Sequence, residues 1–172
     1  PVNCKLPTDA DPHNCGQCGK NCLGGECKAG KCQPAIIARG VKDVIGVAIS
    51  QGKLYYGGEG VTEADLDGKN AHRVVTGVAA TYLWGTDDAV FFTNVQGGFV
   101  TRWAHDPNGE TTKLSGNLNG LSGIAASPTH VYYTLYVNPD QGGGIYRFPL
   151  GSSADAAQKL KVWNHAETVA WA

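Results

Sequence analysis

Six cysteines are the residues of this sequence whose spacing most directly implies chemistry. An even number of closely spaced cysteines, in a segment with few apolar side chains and many glycines, favours a framework of three disulfides in an oxidising compartment. Six cysteines permit about 15 pairings, and their spacing alone does not choose among them. All six lie before residue 33, and they are Cys4, Cys15, Cys18, Cys22, Cys27 and Cys32.

Zinc is the alternative use of these thiols. Cys15 and Cys18, which are separated by two residues, could join Cys22 and His13 in a four-ligand site. Such a site would leave at least two cysteines spare, so disulfides remain the favoured interpretation. The residue after the Cys-x-x-Cys pair is Gly19, which excludes a c-type haem attachment.

The cysteine-rich segment also carries a family resemblance. The run DPHNCGQCGKNC from Asp11 to Cys22, followed by Gly25-x-Cys27 and Gly30-x-Cys32, resembles the stigma-specific protein type of module, which is also widespread in secreted proteins of myxobacteria. The plant members often have adjacent cysteines where this chain has only Cys27. The resemblance implies an extracellular interaction or spacer module over residues 1–34.

Carboxylates offer weaker signals. The pattern Asp65-x-Asp67-Gly68-x-Asn70 places side-chain oxygens close together, which could suggest a calcium site. The terminal Glu of a helical calcium loop is missing, however, and a turn between two strands explains the pattern without a metal ion. There is no G-x-S-x-G or H-E-x-x-H motif, and the five histidines are scattered along the chain. These observations favour a binding role over an enzymatic one.

Charge and hydropathy exclude two classes of partner. The 172 residues carry 14 Lys+Arg against 15 Asp+Glu, so there is no basic field for nucleic acid or anionic lipid. No apolar run approaches the roughly 18 residues that would insert into a bilayer. Because the chain begins with Pro1 and contains no methionine, we interpret it as a processed or excised piece.

A repeat organises the remainder, residues 35–172. Each copy has an aliphatic residue followed by two aromatic residues: Leu54-Tyr55-Tyr56, Val90-Phe91-Phe92 and Val131-Tyr132-Tyr133. Short strands surround each triplet, and four strands in about 40 residues make one blade of a β-propeller. We therefore predict an all-β chain in which a disulfide-rich module precedes three four-stranded blades, at about 41–77, 78–117 and 118–164.

The repeats are similar to YWTD and NHL-like propellers, especially bacterial secreted versions. Val131 to Thr134 and Ile145 to Leu150 carry this likeness best, and Glu63 to Gly68 matches the family's D-x-D-G turn. Stray strands are expected at 36–40 and 168–172. Three blades cannot close a ring, so we expect either more chain or a second copy or other chain to complete it.

Propeller ligands usually meet the loops that enter the first strand and join the second to the third. Aromatic and amide side chains there suit a carbohydrate or a protein partner. Metal-dependent lactonase chemistry is the alternative, in which Asp43, Glu59 and Glu167 would converge on a calcium ion; otherwise no cofactor is expected. The candidate ligand-binding residues are Tyr82, Asn94, Asn119, Tyr136, Asn138 and Asp140. The sequence thus predicts an extracellular, periplasmic or cell-surface binding or assembly module.

Overall fold

The computed structural model describes residues 8–137 and 142–161, and these residues confirm the predicted all-β class. A two-stranded hairpin precedes three four-stranded antiparallel sheets, and one 3-10 turn at Ala154–Ala156 is the only helical segment within the described ranges. None of the described helices has the length and apolar character needed to cross a membrane.

Disulfides hold the N-terminal module, which we call the head. Its strands are β1 (Cys27–Lys28) and β2 (Lys31–Cys32). Cys15 is bonded to Cys27 and Cys22 to Cys32, and Cys18 is also disulfide-bonded. Cys4 lies outside the described residues.

The zinc alternative is excluded by this bonding. The sulfur atoms of Cys15, Cys22 and Cys32 lie within 4.8 Å of one another, but all three are oxidised and none can act as a thiolate ligand. The cross-links take the place of an apolar core that a segment of this size cannot build.

Each predicted triplet lies in the second strand of a sheet, and each sheet is a meander in which sequential strands are neighbours. We call the sheets blade 1, blade 2 and blade 3. Blade 1 contains β3 (Val47–Ser50), β4 (Lys53–Tyr56), β5 (Val61–Asp65) and β6 (His72–Val75). Blade 2 contains β7 (Leu83–Gly85), β8 (Val90–Asn94), β9 (Phe99–Trp103) and β10 (Thr111–Lys113). Blade 3 contains β11 (Leu121–Ala126), β12 (His130–Leu135), β13 (Gly144–Pro149) and β14 (Gln158–Lys161).

The blades pack face to face around their first strands. Strand β3 contacts β7, and β7 contacts β11, so the first strands lie side by side at the inner edge of the assembly. Neighbouring blades then enclose an apolar core between them, which is the radial arrangement of a propeller.

Blade 2 has apolar residues on both faces because it lies between two others. Successive side chains of a strand point to opposite faces. In β8, Val90 and Phe92 enter the core shared with blade 1, whereas Phe91 enters the core shared with blade 3. This double burial explains the continuous apolar run in β8.

The predicted strand at 36–40 does not form. Residues 33–39 have no assigned secondary structure, although Ile37 lies close enough to Gly68 that a side chain at Gly68 would collide with the Ile37 carbonyl. No described strand pairs with this segment. The predicted strand at 168–172 lies outside the described residues.

Candidate functional site

The connections that enter the first strands, and those that join second to third strands, lie at one end of the three sheets. We call this end the mouth face. Antiparallel meanders place alternate connections at the same end, so the topology gathers these loops. Two adjoining cavities open there and share Ile45, Thr81 and Val95 on their walls. Together they form what we call the mouth cleft.

The first part of the mouth cleft is aromatic and aliphatic. Its cavity of about 430 Å³ is lined by Tyr82 and Tyr136 in addition to the shared residues. Ile45 is 61% exposed and Tyr136 is 47% exposed, so both present apolar surface to an incoming group. Exposed aliphatic and aromatic side chains grouped around a concavity are typical of a binding surface.

Backbone hydrogen bonds fix the two tyrosines at the entrance of their blades. The Thr93 N–H donates to the Tyr82 carbonyl at 3.0 Å, and the Tyr82 N–H donates to the Thr93 hydroxyl at 3.2 Å. The Tyr136 N–H donates to the Gly120 carbonyl at 2.6 Å. Both aromatic side chains are therefore carried by backbone tied to the sheets.

The second part of the mouth cleft is charged. Its cavity of about 720 Å³ is lined by Asp43, Glu59, Arg73 and Gln96. The Arg73 guanidinium lies 3.8 Å from the Glu59 carboxylate, which places a cation and an anion side by side on the rim. This part can pair with charges of either sign on a ligand.

A close approach of two backbones forms the floor between blades 1 and 2. Gly58 and Ala80 exchange both backbone hydrogen bonds, at 2.8 and 3.0 Å. A side chain on the neighbouring Gly57 would collide with the Ala80 carbonyl, so glycine is required there.

The structure brings together only two of the predicted ligand-binding residues that it describes. Tyr82 and Tyr136 line the same cavity. The Asn94 side chain instead accepts a hydrogen bond from the Gly97 N–H at 2.8 Å and so holds its own turn. Asn119 is exposed and lies on neither wall of the mouth cleft. Asn138 and Asp140 lie outside the described residues.

The predicted metal ligands are only partly assembled. Asp43 and Glu59 line the same cavity, but Glu59 has Arg73 as its neighbour. Within 8–137 and 142–161, no group of three carboxylate or histidine side chains converges on one point. Glu167 lies outside these ranges, and a calcium requirement stays a prediction.

The turn from Asp65 to Asn70 has the form that the sequence predicts. The Asp65 carboxylate accepts hydrogen bonds from Lys53 Nζ at 2.5 Å and from Asn70 Nδ2 at 2.6 Å. These donors, Lys53 first, lower the pKa of Asp65. The Asp65 oxygens that could have bound calcium instead accept hydrogen bonds from the Lys53 ammonium and the Asn70 amide.

Sequence reasoning missed the aliphatic residues of the mouth cleft. Ile45 lies in the loop that enters β3, and Val95 lies in the loop that joins β8 to β9. The sequence prediction covers only polar and aromatic residues of these loops. The feature of the sequence that could have identified Ile45 and Val95 is an aliphatic residue in a turn, because contact with solvent alone would favour a polar residue there.

A polar network joins blades 1 and 2 at the opposite end of the sheets. His105 Nε2 lies 3.0 Å from the Ser50 hydroxyl, and His105 Nδ1 lies 3.4 Å from the Tyr55 hydroxyl. The Tyr55 hydroxyl donates to Glu63 at 2.9 Å. Burial, opposed by the Glu63 charge, lowers the pKa of His105, and burial followed by the Glu63 hydrogen bond raises the pKa of Tyr55.

This network resembles a serine–histidine pair but has the geometry of a structural joint. Ser50 donates its hydroxyl proton to the Thr86 carbonyl, and its side chain is buried. The adjacent cavity of about 570 Å³ is walled by His105 and Tyr55 but not by Ser50. A nucleophile would have to reach a substrate, and this hydroxyl does not.

Neither a family model nor a curated protein sequence matches the chain. Several solved structures are similar in fold. A chain of the nidogen/laminin complex has a TM-score of 0.57 at 15% identity, with 67% of this chain and 47% of that chain covered. The computationally designed protein Ika4 has a TM-score of 0.53 at 16% identity, with 81% and 88% covered. A catalytically inactive virginiamycin B lyase from Staphylococcus aureus with quinupristin has a TM-score of 0.53 at 17% identity, with 73% and 44% covered.

The chain has a β-propeller fold. At these identities the likeness establishes the fold alone. The chain spans about half the length of the nidogen/laminin chain and less than half of the lyase chain. The three successive four-stranded sheets agree with these propeller-type neighbours.

Proposed function

We propose that the chain is a protein-binding module that recognises an apolar side chain of its partner in the mouth cleft. The observation that carries this proposal is the grouping of Ile45, Val95 and Tyr136, all exposed, around one cavity of about 430 Å³. Burying such side chains against a partner releases water from apolar surface, which is the main source of affinity at the centre of an interface. The charged part of the mouth cleft would form the polar rim.

A protein ligand fits this surface better than a carbohydrate. Sugars need several amide or carboxylate groups aimed at their hydroxyls beside a stacking ring. The amide of Asn94 is used within its own turn, and Asn119 lies away from the mouth cleft. Asp43, Glu59 and Gln96 line the charged part of the mouth cleft and not the cavity that holds Tyr82 and Tyr136. Exposed Ile45 and Val95 offer nothing to a hydroxyl but suit an aliphatic or aromatic side chain.

A similar propeller-type fold occurs in the nidogen/laminin complex, which contains two different proteins. This precedent agrees with a protein partner without identifying one. The lactonase alternative has no observation in its favour, because the described acids do not converge.

We infer that this binding takes place outside the cytoplasm. The head depends on disulfides, and such bonds persist in oxidising compartments. The proposed kinship of the head with the stigma-specific type of module points the same way.

A selection experiment tests the proposed function. A phage-displayed linear peptide library is panned on the immobilised chain, and the enriched peptide is synthesised with a fluorophore for anisotropy titration. We expect the enriched peptides to share an aromatic or aliphatic anchor. Tyr136→Ala and Val95→Asp should each weaken binding by at least about tenfold, as truncation at an interface centre does.

Leu150→Ala is the matched control, because Leu150 is also an exposed apolar residue but lies on neither wall of the mouth cleft. Its affinity should equal that of the wild type. Equal affinity in all variants would overturn the proposal. A glycan array with signals that Tyr136→Ala abolishes, in the absence of peptide binding, would replace it with a carbohydrate function.

A further inference from the structure

Two Asn-Gly dipeptides occur in the sequence, at Asn108-Gly109 and Asn119-Gly120. This dipeptide is chemically labile, because glycine has no Cβ to shield its backbone nitrogen from the side-chain amide of the preceding asparagine. Both asparagines are exposed and lie in turns, and the function proposed above uses neither of them. The two turns differ in what engages the nitrogen of the glycine.

The turn at Asn108 is held by hydrogen bonds from its own backbone. The Gly109 N–H donates to the Asp106 carbonyl at 3.0 Å, and the Asn108 N–H donates to the Asp106 carboxylate at 2.8 Å. A nitrogen whose hydrogen is already donated has to give up that bond before it can act as a nucleophile. This turn therefore protects Asn108.

The turn at Asn119 leaves both reacting groups unengaged. Among the residues that the structure describes, neither the Asn119 side chain nor the Gly120 N–H has a hydrogen-bond partner. The Asn119 side chain is exposed and Gly120 is half-buried, so water and base reach this turn. The Gly120 nitrogen can therefore lose its proton and approach the side-chain amide without breaking a bond to the rest of the protein.

We propose that Asn119 is a site of spontaneous modification, at which deamidation gives isoaspartate and aspartate. The deprotonated Gly120 nitrogen attacks the side-chain amide carbon of Asn119, the bond from that carbon to its NH2 group breaks, and ammonia leaves with the proton that Gly120 lost. Water then opens the resulting succinimide ring. Cleavage beside the side-chain carbonyl gives aspartate, whereas cleavage beside the backbone carbonyl leaves the chain running through the side chain as isoaspartate.

The modification affects the mouth cleft because two backbone contacts flank Asn119. The Leu118 N–H donates to the Gly98 carbonyl at 2.9 Å, and the Gly120 carbonyl accepts from the Tyr136 N–H at 2.6 Å. Isoaspartate inserts one more carbon into the backbone between these two contacts, and both products add a negative charge. Gly120 and Tyr136 line the same cavity, so we expect this cavity to change shape, and its effect on binding rests on the proposed function.

Ageing of the whole chain in mildly alkaline buffer, followed by peptide mapping with mass spectrometry, tests the site. The peptide that contains Asn119 should gain the mass difference between a carboxyl and an amide group and separate into two products. It should react at least about fivefold faster than the peptide that contains Asn108, which is the factor that one ordinary hydrogen bond is worth. Asn119→Gln should not convert on this timescale, because its longer side chain would have to close a larger ring.

Ageing in urea is the matched control, because neither turn exists in the unfolded chain and the two asparagines should then react at similar rates. A folded chain in which Asn119 reacts no faster than Asn108 would overturn the proposal. A difference of the same size in urea would also overturn it, because the sequence rather than the turn would then be the cause.

The effect on the mouth cleft is measured first without a ligand. In ¹⁵N-labelled protein the amide signal of Tyr136 should shift as Asn119 converts, whereas aged Asn119→Gln should keep its signal; an unchanged Tyr136 signal would overturn this effect. The fluorescent peptide selected on fresh protein should then bind the converted chain at least about tenfold more weakly than aged Asn119→Gln. Absence of peptide binding to fresh protein would count against the proposed function alone, since the mass spectra and the Tyr136 signal need no ligand.

Discussion

His105 joins the first two blades through a ring whose pKa is lowered by burial, against the opposing charge of Glu63. Because Ser50 gives its proton to the Thr86 carbonyl, its oxygen is left to accept from the His105 Nε2–H. Tyr55 gives its proton to Glu63, so His105 Nδ1 faces a hydroxyl that already has an acceptor. The rings of Trp103 and Tyr55 enclose the imidazole, at centroid distances of 4.9 and 5.7 Å.

The lowered pKa of His105 predicts an acid-sensitive joint. Burial lowers the pKa of His105 in the folded chain, so the unfolded chain takes up the proton first as the pH falls. The contribution of His105 to stability should be complete above about pH 6.5 and decline below it. Urea unfolding at pH 7.5 and 5.5 measures this loss, and His105→Gln should reduce it.

Ser50→Ala separates the hydrogen bond from the titration. It leaves the His105 Nε2–H without its acceptor and should cost about 1–3 kcal/mol at both pH values. An undiminished pH dependence in His105→Gln would assign the acid sensitivity to another group.

The sequence was sufficient to place residues whose position depends on a single loop of one blade. Tyr82 and Tyr136 line one cavity because each stands in a loop at the same end of its blade. The contact of His105 with Ser50 and Tyr55 joins residues about 50 positions apart, and it depends on how two sheets pack. Local spacing carries no record of that packing.

Equivalent strands in the three blades differ in what covers them. Phe92 in β8 and Tyr56 in β4 hold the same place in their triplets, but only Phe92 has a preceding blade against it. Phe92→Ala should cost about 3–5 kcal/mol of unfolding free energy, as large-to-small changes in a core do. Tyr56→Ala should cost less than half as much in urea unfolding.

The two substitutions are compared by urea unfolding under the same conditions. Equal costs for Phe92→Ala and Tyr56→Ala would mean that Tyr56 is covered as completely as Phe92. That outcome would contradict the difference in burial between the two blades.

The second strands of the blades were easier to predict from the sequence than the segment that precedes blade 1. The aliphatic-aromatic-aromatic triplets located β4, β8 and β12, because each second strand is buried by its neighbours and must be apolar. The segment 36–40 has equally apolar residues but is not a strand. Strand formation depends on a partner edge, which the composition of a segment does not reveal.

At the scale of the whole molecule, the head and the blades are stabilised by different means. The Cys15–Cys27 and Cys22–Cys32 bonds span 12 and 10 residues, and loops of that size gain about 3 kcal/mol each from closure. The blades contain two apolar cores and no cysteine. The sequence predicted this division but left the pairing of the cysteines open.

Reduction should therefore unfold the head alone. With a reductant, we expect amide hydrogens in residues 8–32 to lose protection in exchange measured by mass spectrometry, whereas β8 and β12 keep theirs. The head lies beside the Asp65–Lys69 turn of blade 1, but neither apolar core of the blades contains a residue of the head. Loss of protection in β8 on reduction would show that the head supports the blades.

The mouth cleft as a protein-binding site is tested most directly by mapping a bound peptide on the chain. A peptide selected on the immobilised chain would be titrated into ¹⁵N-labelled protein while amide chemical shifts are recorded by nuclear magnetic resonance. The account predicts that the shifts cluster around Tyr82, Val95 and Tyr136. Shifts confined to the head, or to Val47 and Ile49 on β3, would contradict it.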